Sequence, residues 1–478
     1  MPSPGSQPSA SRPLPALRLL PDGSRRVDYA AIVRLAWPLF VNAGMQAALN
    51  LTDTWFLGRL STDALAAVGA VFFLVLVFVV FLGGVGNAVQ TLSAQAFGAG
   101  SRPRAAGFAF NGLWGALLTA PAFAAVAFAG PWLLAPFQLP PGVNELALEY
   151  WFPRLLGGFL GTAQWALAGF FNGIGRTRVT LATALGVTLA NAGLNQWFIF
   201  GLGWGVAGAA WATAAAQGLG AAVLTLALLA PGMQSGFRTR LLVRPRWRRL
   251  RTLFVLGIPM GMAATADLSG FAMFQLMLAR LGALEAAASQ VVMMLTSVAY
   301  MPAIGIALAG TTLVGQSIGA GDRDWAQRTG SATIRLAVIY MGGVSVALAL
   351  GAPLLLPLFA DAADPNAAAL VELGTALMWI AAGYQVFDAL NLGAAFCLRG
   401  AGDVRFAAVA LLVLAWGVFV PTVHMLAFAP GQGLVDFLPQ WGMGAKGAWL
   451  AALGYIILLG VAMFSRWLSG AWKRRLAL

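Results

Sequence analysis

Long apolar runs alternate along this chain with short breaks made of charge, Gly and Pro. About 20 apolar residues cross a bilayer as a helix, so each run is long enough to span one. The breaks predict twelve helices, near residues 33–57, 66–97, 105–130, 144–171, 178–200, 206–230, 252–281, 287–316, 327–360, 368–397, 404–428 and 443–468. The pattern is that of an all-α polytopic membrane protein.

Composition agrees with the pattern. Of 478 residues 60% are hydrophobic and 9% charged, with a mean hydropathy of +0.80. A soluble chain of this size needs far more charge to cover its surface. One cysteine, Cys397, and one histidine, His424, exclude a disulfide framework and a Cys- or His-rich metal cluster. The net charge of +13 might suggest nucleic acid, but the basic residues sit in short groups between apolar runs, as topology signals do. With the N-terminus inside, all but Arg59, Arg154, Arg280 and Lys446 fall on the cytoplasmic side. Both termini are therefore expected in the cytoplasm. The organisation that follows is a disordered tail at 1–28, a first lobe at 29–232, a basic linker at 233–251, a second lobe at 252–470 and a basic tail at 471–478. The linker region holds the densest basic cluster, Arg238 to Arg251, which contains no acid.

The chain is also doubled. An offset of 221 carries Pro38 to Pro259, Gln95 to Gln316 and Gly98-Ala99-Gly100 to Gly319-Ala320-Gly321. Further on, an offset of 227 carries Gly173 to Gly400 and Arg178 to Arg405. Parallel repeats of six spans are typical of transporters that rock two bundles about a central site. Pro38 and Pro259 each remove one backbone hydrogen bond early in a span and permit a bend.

Against this symmetry stand three acidic residues inside spans: Asp53, Asp267 and Asp388. A carboxylate at that depth costs about 2.5–3.5 kcal/mol on insertion scales, so each is a functional candidate. Asp267 and Asp388 fall near mid-span, and Asp53 lies nearer the outer side, close to Arg59. Helical spacing puts Asn42, Gln46, Asn50 and Asp53 on one face, and Tyr384, Asp388 and Asn391 on another. Asn191 and Asn195 are one turn apart, as are Thr213 and Gln217. Amides and hydroxyls serve ordinary interhelical hydrogen bonds, whereas packing does not need a charge. The repeat register places Phe274 opposite Asp53, Gln46 opposite Asp267 and Gly161 opposite Asp388, so the fold does not require these carboxylates.

Several stretches together resemble the multidrug and toxic compound extrusion (MATE) transporters of the bacterial NorM-like type. They are DTWFLG from Asp53, QAFGAG from Gln95, GIGRTR from Gly173, NAGLN from Asn191 and GVAGAAWAT from Gly205. In the second half they are QSIGAG from Gln316, YQVFD from Tyr384 and RGAGD from Arg399. The resemblance implies two six-helix lobes in the bacterial cytoplasmic membrane, acting as a monomer. It implies export of bulky, often cationic amphipathic compounds, driven by inward H⁺ or Na⁺, with no cofactor, no nucleic acid and no enzymatic step. By position it implies an N-lobe polar network of Asp53, Asn191, Asn195 and Thr213, flanked by Gln46 and Asn50, with Pro38 as the hinge. It implies a C-lobe cation site at Asp267, Tyr384 and Asp388, which would hold Na⁺ if sodium is the coupling ion. The family commonly carries Glu where this chain has Asp267. The alternative is a flippase of lipids or lipid-linked sugars with a related two-lobe fold, which would be expected to line its cavity with basic residues.

Overall fold

The structure is a computed structural model that describes residues 14–239, 242–359 and 365–474. A two-stranded antiparallel hairpin, β1 (Leu17–Leu19) and β2 (Arg25–Val27), precedes the helices. The first half comprises α1 (Tyr29–Leu60), α2 (Thr62–Gly98), α3 (Arg102–Phe128), the short α4 (Gly130–Leu134), α5 (Pro141–Leu156), α6 (Gly158–Gly173), α7 (Thr177–Asn195), α8 (Gly205–Leu229) and the short α9 (Pro231–Phe237). The second half comprises α10 (Trp247–Leu281), α11 (Ala283–Gly319), α12 (Arg323–Leu355), α13 (Ala367–Ala401), α14 (Val404–Leu414), α15 (Val420–Ala427) and α16 (Gly444–Leu468). Helices satisfy their own backbone groups, which is what an apolar solvent demands. Side-chain oxygens cap several starts: Asp28 accepts from the Ala31 N–H at 3.1 Å, Ser61 from Ala64 at 2.9 Å and Asp322 from Trp325 at 2.7 Å.

Ten helical stretches among the described residues are long and apolar enough to cross a membrane, and each coincides with an expected span. The expected spans at 144–171 and 178–200 are helical but do not reach that standard. The first is interrupted at Gly157, between α5 and α6, and carries Glu145, Glu149 and Arg154. The second, α7, carries Asn191 and Asn195 and passes straight into a π-helical turn, Gln196–Gly201. The break leaves α5 and α6 at 16 residues each, while polar residues weaken the hydropathy of α7, and π turns recur at functional sites.

The first helix of each half packs across the seam as well as on its own half. α1 packs more closely on α11 than on its own neighbour α2, and α10 packs more closely on α2 than on α11. Side-chain hydrogen bonds between the halves gather at the C-terminal ends of α2 and α11. Gln95 Nε2 donates to the Gly400 carbonyl at 2.9 Å, and its repeat mate Gln316 donates to the Gly173 carbonyl at 2.8 Å. Gly173 and Gly400 are themselves repeat mates, so one contact is made twice about a pseudo-two-fold axis. Gln90 donates to Leu308 O and Thr312 Oγ1, both at 3.1 Å, and the half-buried Arg399 donates to Asn87 O at 3.1 Å. Helix backbones meet here because Gly98 and Gly319 lack side chains. A Cβ at Gly98 would strike the Gln316 carbonyl, and one at Gly319 would strike the Gln95 carbonyl.

The flanking segments differ from expectation. Residues 14–28 belong to the stretch expected to be disordered, yet Ala16 and Val27 of the hairpin pack against Ile32, Leu313 and Ala332. Trp325 Nε1 donates to Pro15 O at 2.9 Å, and Arg25 pairs with Asp322 at 3.3 Å. Apolar residues scattered within a Ser-, Pro- and Arg-rich stretch are enough to dock it once a helix surface is available. Residues 1–13 lie outside the described residues. The linker is shorter than expected, because α9 and α10 extend into it from both sides. In the C-terminal tail, Trp472 is buried and stacks on Trp467 at 4.7 Å, with the rings 5° from parallel; residues 475–478 lie outside the described residues.

Candidate functional site

Asp53 sits on α1, which packs against α7 and α8. Asn195 Nδ2 donates to Asp53 Oδ1 at 2.6 Å, and Thr213 Oγ1 donates to Asp53 Oδ2 at 2.7 Å. Asn191 completes the group: its amide donates to Thr213 Oγ1 at 3.3 Å, and its Oδ1 accepts from Asn195 at 3.1 Å. Asn191, Asn195 and Thr213 are buried, and Asp53 is partly buried. Three helices thus deliver the four residues expected of the N-lobe network into one hydrogen-bonded cluster. Gln46 and Asn50 are not part of it. They share the helical face of Asp53, but both side chains are exposed and bond to none of the four. Pro38 is buried and α1 runs through it as one helix.

In the second half, Asn391 Nδ2 donates to Asp388 Oδ1 at 3.3 Å on the same helix, α13, and Asp388 is 5% exposed. Asp267, on α10, is exposed and lies within electrostatic reach of Asp388. Tyr384 lies in the field of both carboxylates and stands edge-on to Trp449, with ring centroids 6.5 Å apart. The three residues expected to form the C-lobe site therefore lie within electrostatic reach of one another. Two further tyrosines join them, Tyr300 from α11 and Tyr455 from α16, each in the field of both carboxylates. Tyr455 Oη is buried with no hydrogen-bond partner among the described residues, and its ring stacks on Phe419 at 4.7 Å.

The two clusters share one feature. In each, an asparagine amide holds the carboxylate through its nitrogen, while its own oxygen, Asn195 Oδ1 or Asn391 Oδ1, is buried and unpaired among the described residues. Buried acceptors are nearly always paired, so such an oxygen beside a carboxylate marks a place for a proton donor or a hard cation. No group of three or more His, Cys, Asp or Glu side chains suited to a metal ion occurs among the described residues. The donors present are carboxylate, amide and hydroxyl oxygens.

Arg154 was visible in the sequence only as a basic residue out of place. It sits in the last turn of α5, one turn before Gly157, whose missing side chain lets α5 approach Ala214, the neighbour of Thr213. There it lies within electrostatic reach of Asp53 and of the buried Tyr150, with Nη1 buried and unpaired among the described residues. Tyr300 and Tyr455 gave no signal, since a lone tyrosine in an apolar helix is ordinary. The Gln217 side chain lies against Gly161, and its Oε1 is buried and unpaired among the described residues.

The chain is 31% identical over 452 residues to a probable multidrug resistance protein NorM of Burkholderia pseudomallei (strain K96243), covering 92% of each chain. Its fold matches a MATE protein crystallised in complex with MaL6, at a TM-score of 0.81 and 19% identity, over 93% of this chain and 97% of that one. It also matches a multidrug resistance MATE family transporter of the MOP superfamily in an outward-facing conformation, at a TM-score of 0.80 and 19% identity, over 93% and 96% of the two chains. The MatE family model matches residues 38–197 and 259–423, two stretches that begin at the repeat mates Pro38 and Pro259. This multi-pass membrane protein belongs to the MatE family of multidrug efflux transporters.

Proposed function

We propose that the protein is a cation-coupled antiporter that exports bulky, often cationic amphipathic compounds by alternating access of its two lobes. The observation that carries this reading is the pair of Asp–Asn clusters, each with an unpaired amide oxygen beside its carboxylate. A carboxylate in a partly dry cavity can take and release protons near neutral pH, and carboxylate, amide and hydroxyl oxygens suit Na⁺. Either ion then competes with a cationic substrate for the same charge, which is what antiport requires. The coupling ion must also favour one lobe arrangement over the other, since an ion with no such preference moves nothing.

The end where Gln95 and Gln316 bind the opposite half carries most of the basic residues, so on the positive-inside rule it faces the cytoplasm. A lock at that end corresponds to an outward-facing arrangement, with both termini inside. The carboxylates of the two clusters argue against the lipid-linked sugar flippase, whose phosphates would meet like charge. The test is dye efflux from proteoliposomes under an imposed Na⁺ gradient and then a pH gradient. Efflux of a cationic dye under one of them, lost in Asp53→Asn and in Asp388→Asn, is the expected result. No efflux under either gradient would sink the antiporter reading.

A further inference from the structure

At one seam between the halves, α10 and α14 of the second half stand beside α3 of the first and leave a groove of about 540 Å³. Its walls are apolar, made by Leu118, Phe254, Val255, Ile258 and Pro259. Arg251 from α10 and Arg405 from α14 complete the lining, together with Trp247, which is 75% exposed. Neither arginine forms an ion pair among the described residues. The acid nearest in sequence, Asp403, is buried and pairs with Arg466 at 2.7 Å.

Both arginines are exposed, and the acids of the other seam are not repeated beside them. At the other seam, Arg34 pairs with Asp28 at 3.5 Å and Arg25 with Asp322 at 3.3 Å. The repeat offset of 221 relates Asp28 to Arg249 and Asp322 to Ser101, so the second seam has lost both acids. The stretch Arg238 to Arg251 supplies none in their place. An anion that meets both arginines would therefore come from outside the chain. The rest of the lining is apolar, and an exposed Trp such as Trp247 suits the bilayer interface. Basic pockets between transmembrane helices suit anionic lipid headgroups.

We propose that the groove between α3, α10 and α14 binds an anionic phospholipid, with its phosphate between Arg251 and Arg405 and an acyl chain along Phe254, Val255 and Ile258 toward Pro259. The lipid would thereby touch both halves, α3 of the first and α10 and α14 of the second.

The test is native mass spectrometry of the purified full chain titrated with phosphatidylglycerol, phosphatidylcholine or inorganic phosphate. One phosphatidylglycerol is expected to be retained in preference to phosphatidylcholine. Arg251→Ala/Arg405→Ala should lower that retention on the order of tenfold, at the usual strength of a basic residue near an anionic surface. The double lysine variant should keep it, and Ile258→Trp should lose it with both charges intact. Arg244→Ala, a basic position outside the groove, should have no effect. Equal retention of phosphatidylcholine, unchanged binding in the double alanine variant, or an equal loss in Arg244→Ala would overturn the proposal. Displacement of the lipid by inorganic phosphate would also overturn it, by assigning the arginines to a free anion.

Discussion

Asp53 is held by two donors on two other helices, so its neighbours share the cost of keeping it at depth. Thr213→Val keeps the shape but leaves Asp53 Oδ2 without its 2.7 Å donor. Hydrogen bonds to charged groups are worth about 1.5–3 kcal/mol, so a loss of about 2 kcal/mol in thermal unfolding is expected, together with reduced efflux. Asp388 has one Asn donor from its own helix, at the longer distance of 3.3 Å, and its surroundings otherwise offer tyrosines. Arg154 supplies charge, not shape, to the first cluster. Arg154→Gln should therefore reduce efflux on the order of tenfold while Arg154→Lys retains most of it, read in the same dye assay. If Lys fails as badly as Gln, the guanidinium is a packing element and not the counter-charge of Asp53. These roles were only partly legible in sequence. Helical spacing places Gln46, Asn50 and Asp53 on one face, but it cannot say where along that face α7 and α8 arrive.

Among the elements, α2 and α11 matter most, because the lock between the halves is built on their ends. Gln95 and Gln316 read as features of fold when only their repetition is visible. In three dimensions each reaches across to a carbonyl of the other half. Replacing both with Ala removes two bonds worth about 1 kcal/mol each. Amide hydrogen exchange over residues 87–98 should then rise on the order of tenfold or more relative to the parent chain. Gly98→Leu should produce a larger rise, since its side chain would have to occupy the space of the Gln316 carbonyl. Unchanged exchange in both would show that the helix ends are held by apolar packing alone. α5, α6 and α7 teach the converse lesson. α5 and α6 are each too short to span a membrane alone because the chain breaks at Gly157, and α7 falls short because it carries Asn191 and Asn195, which help build the first cluster.

At the scale of the whole molecule, the cross-packing of α1 and α10 leaves part of each half's apolar surface uncovered when that half is alone. Each first helix packs more closely on the second helix of the other half than on that of its own. Expression of residues 1–241 alone is therefore expected to yield an aggregating or proteolysed product in detergent. Co-expression with residues 242–478 should restore a monodisperse complex, measured by size-exclusion chromatography. A stable, monodisperse first half on its own would show that the cross-packing is dispensable.

Periodicity, hydropathy and internal repetition were sufficient to establish an all-helical membrane protein in two copies of one unit, and to single out three carboxylates. Those properties depend on the energetics of burying each segment in lipid, which is local to the segment and written residue by residue. The resemblance to a family grouped Asp53 with Asn195 and Thr213, but the tertiary structure alone decided that Gln46 and Asn50 stay outside. It alone brought Arg154, Tyr300 and Tyr455 to the clusters and docked the hairpin at 17–27. Those outcomes depend on which helix faces which, and a helix surface is compatible with many neighbours until packing selects one.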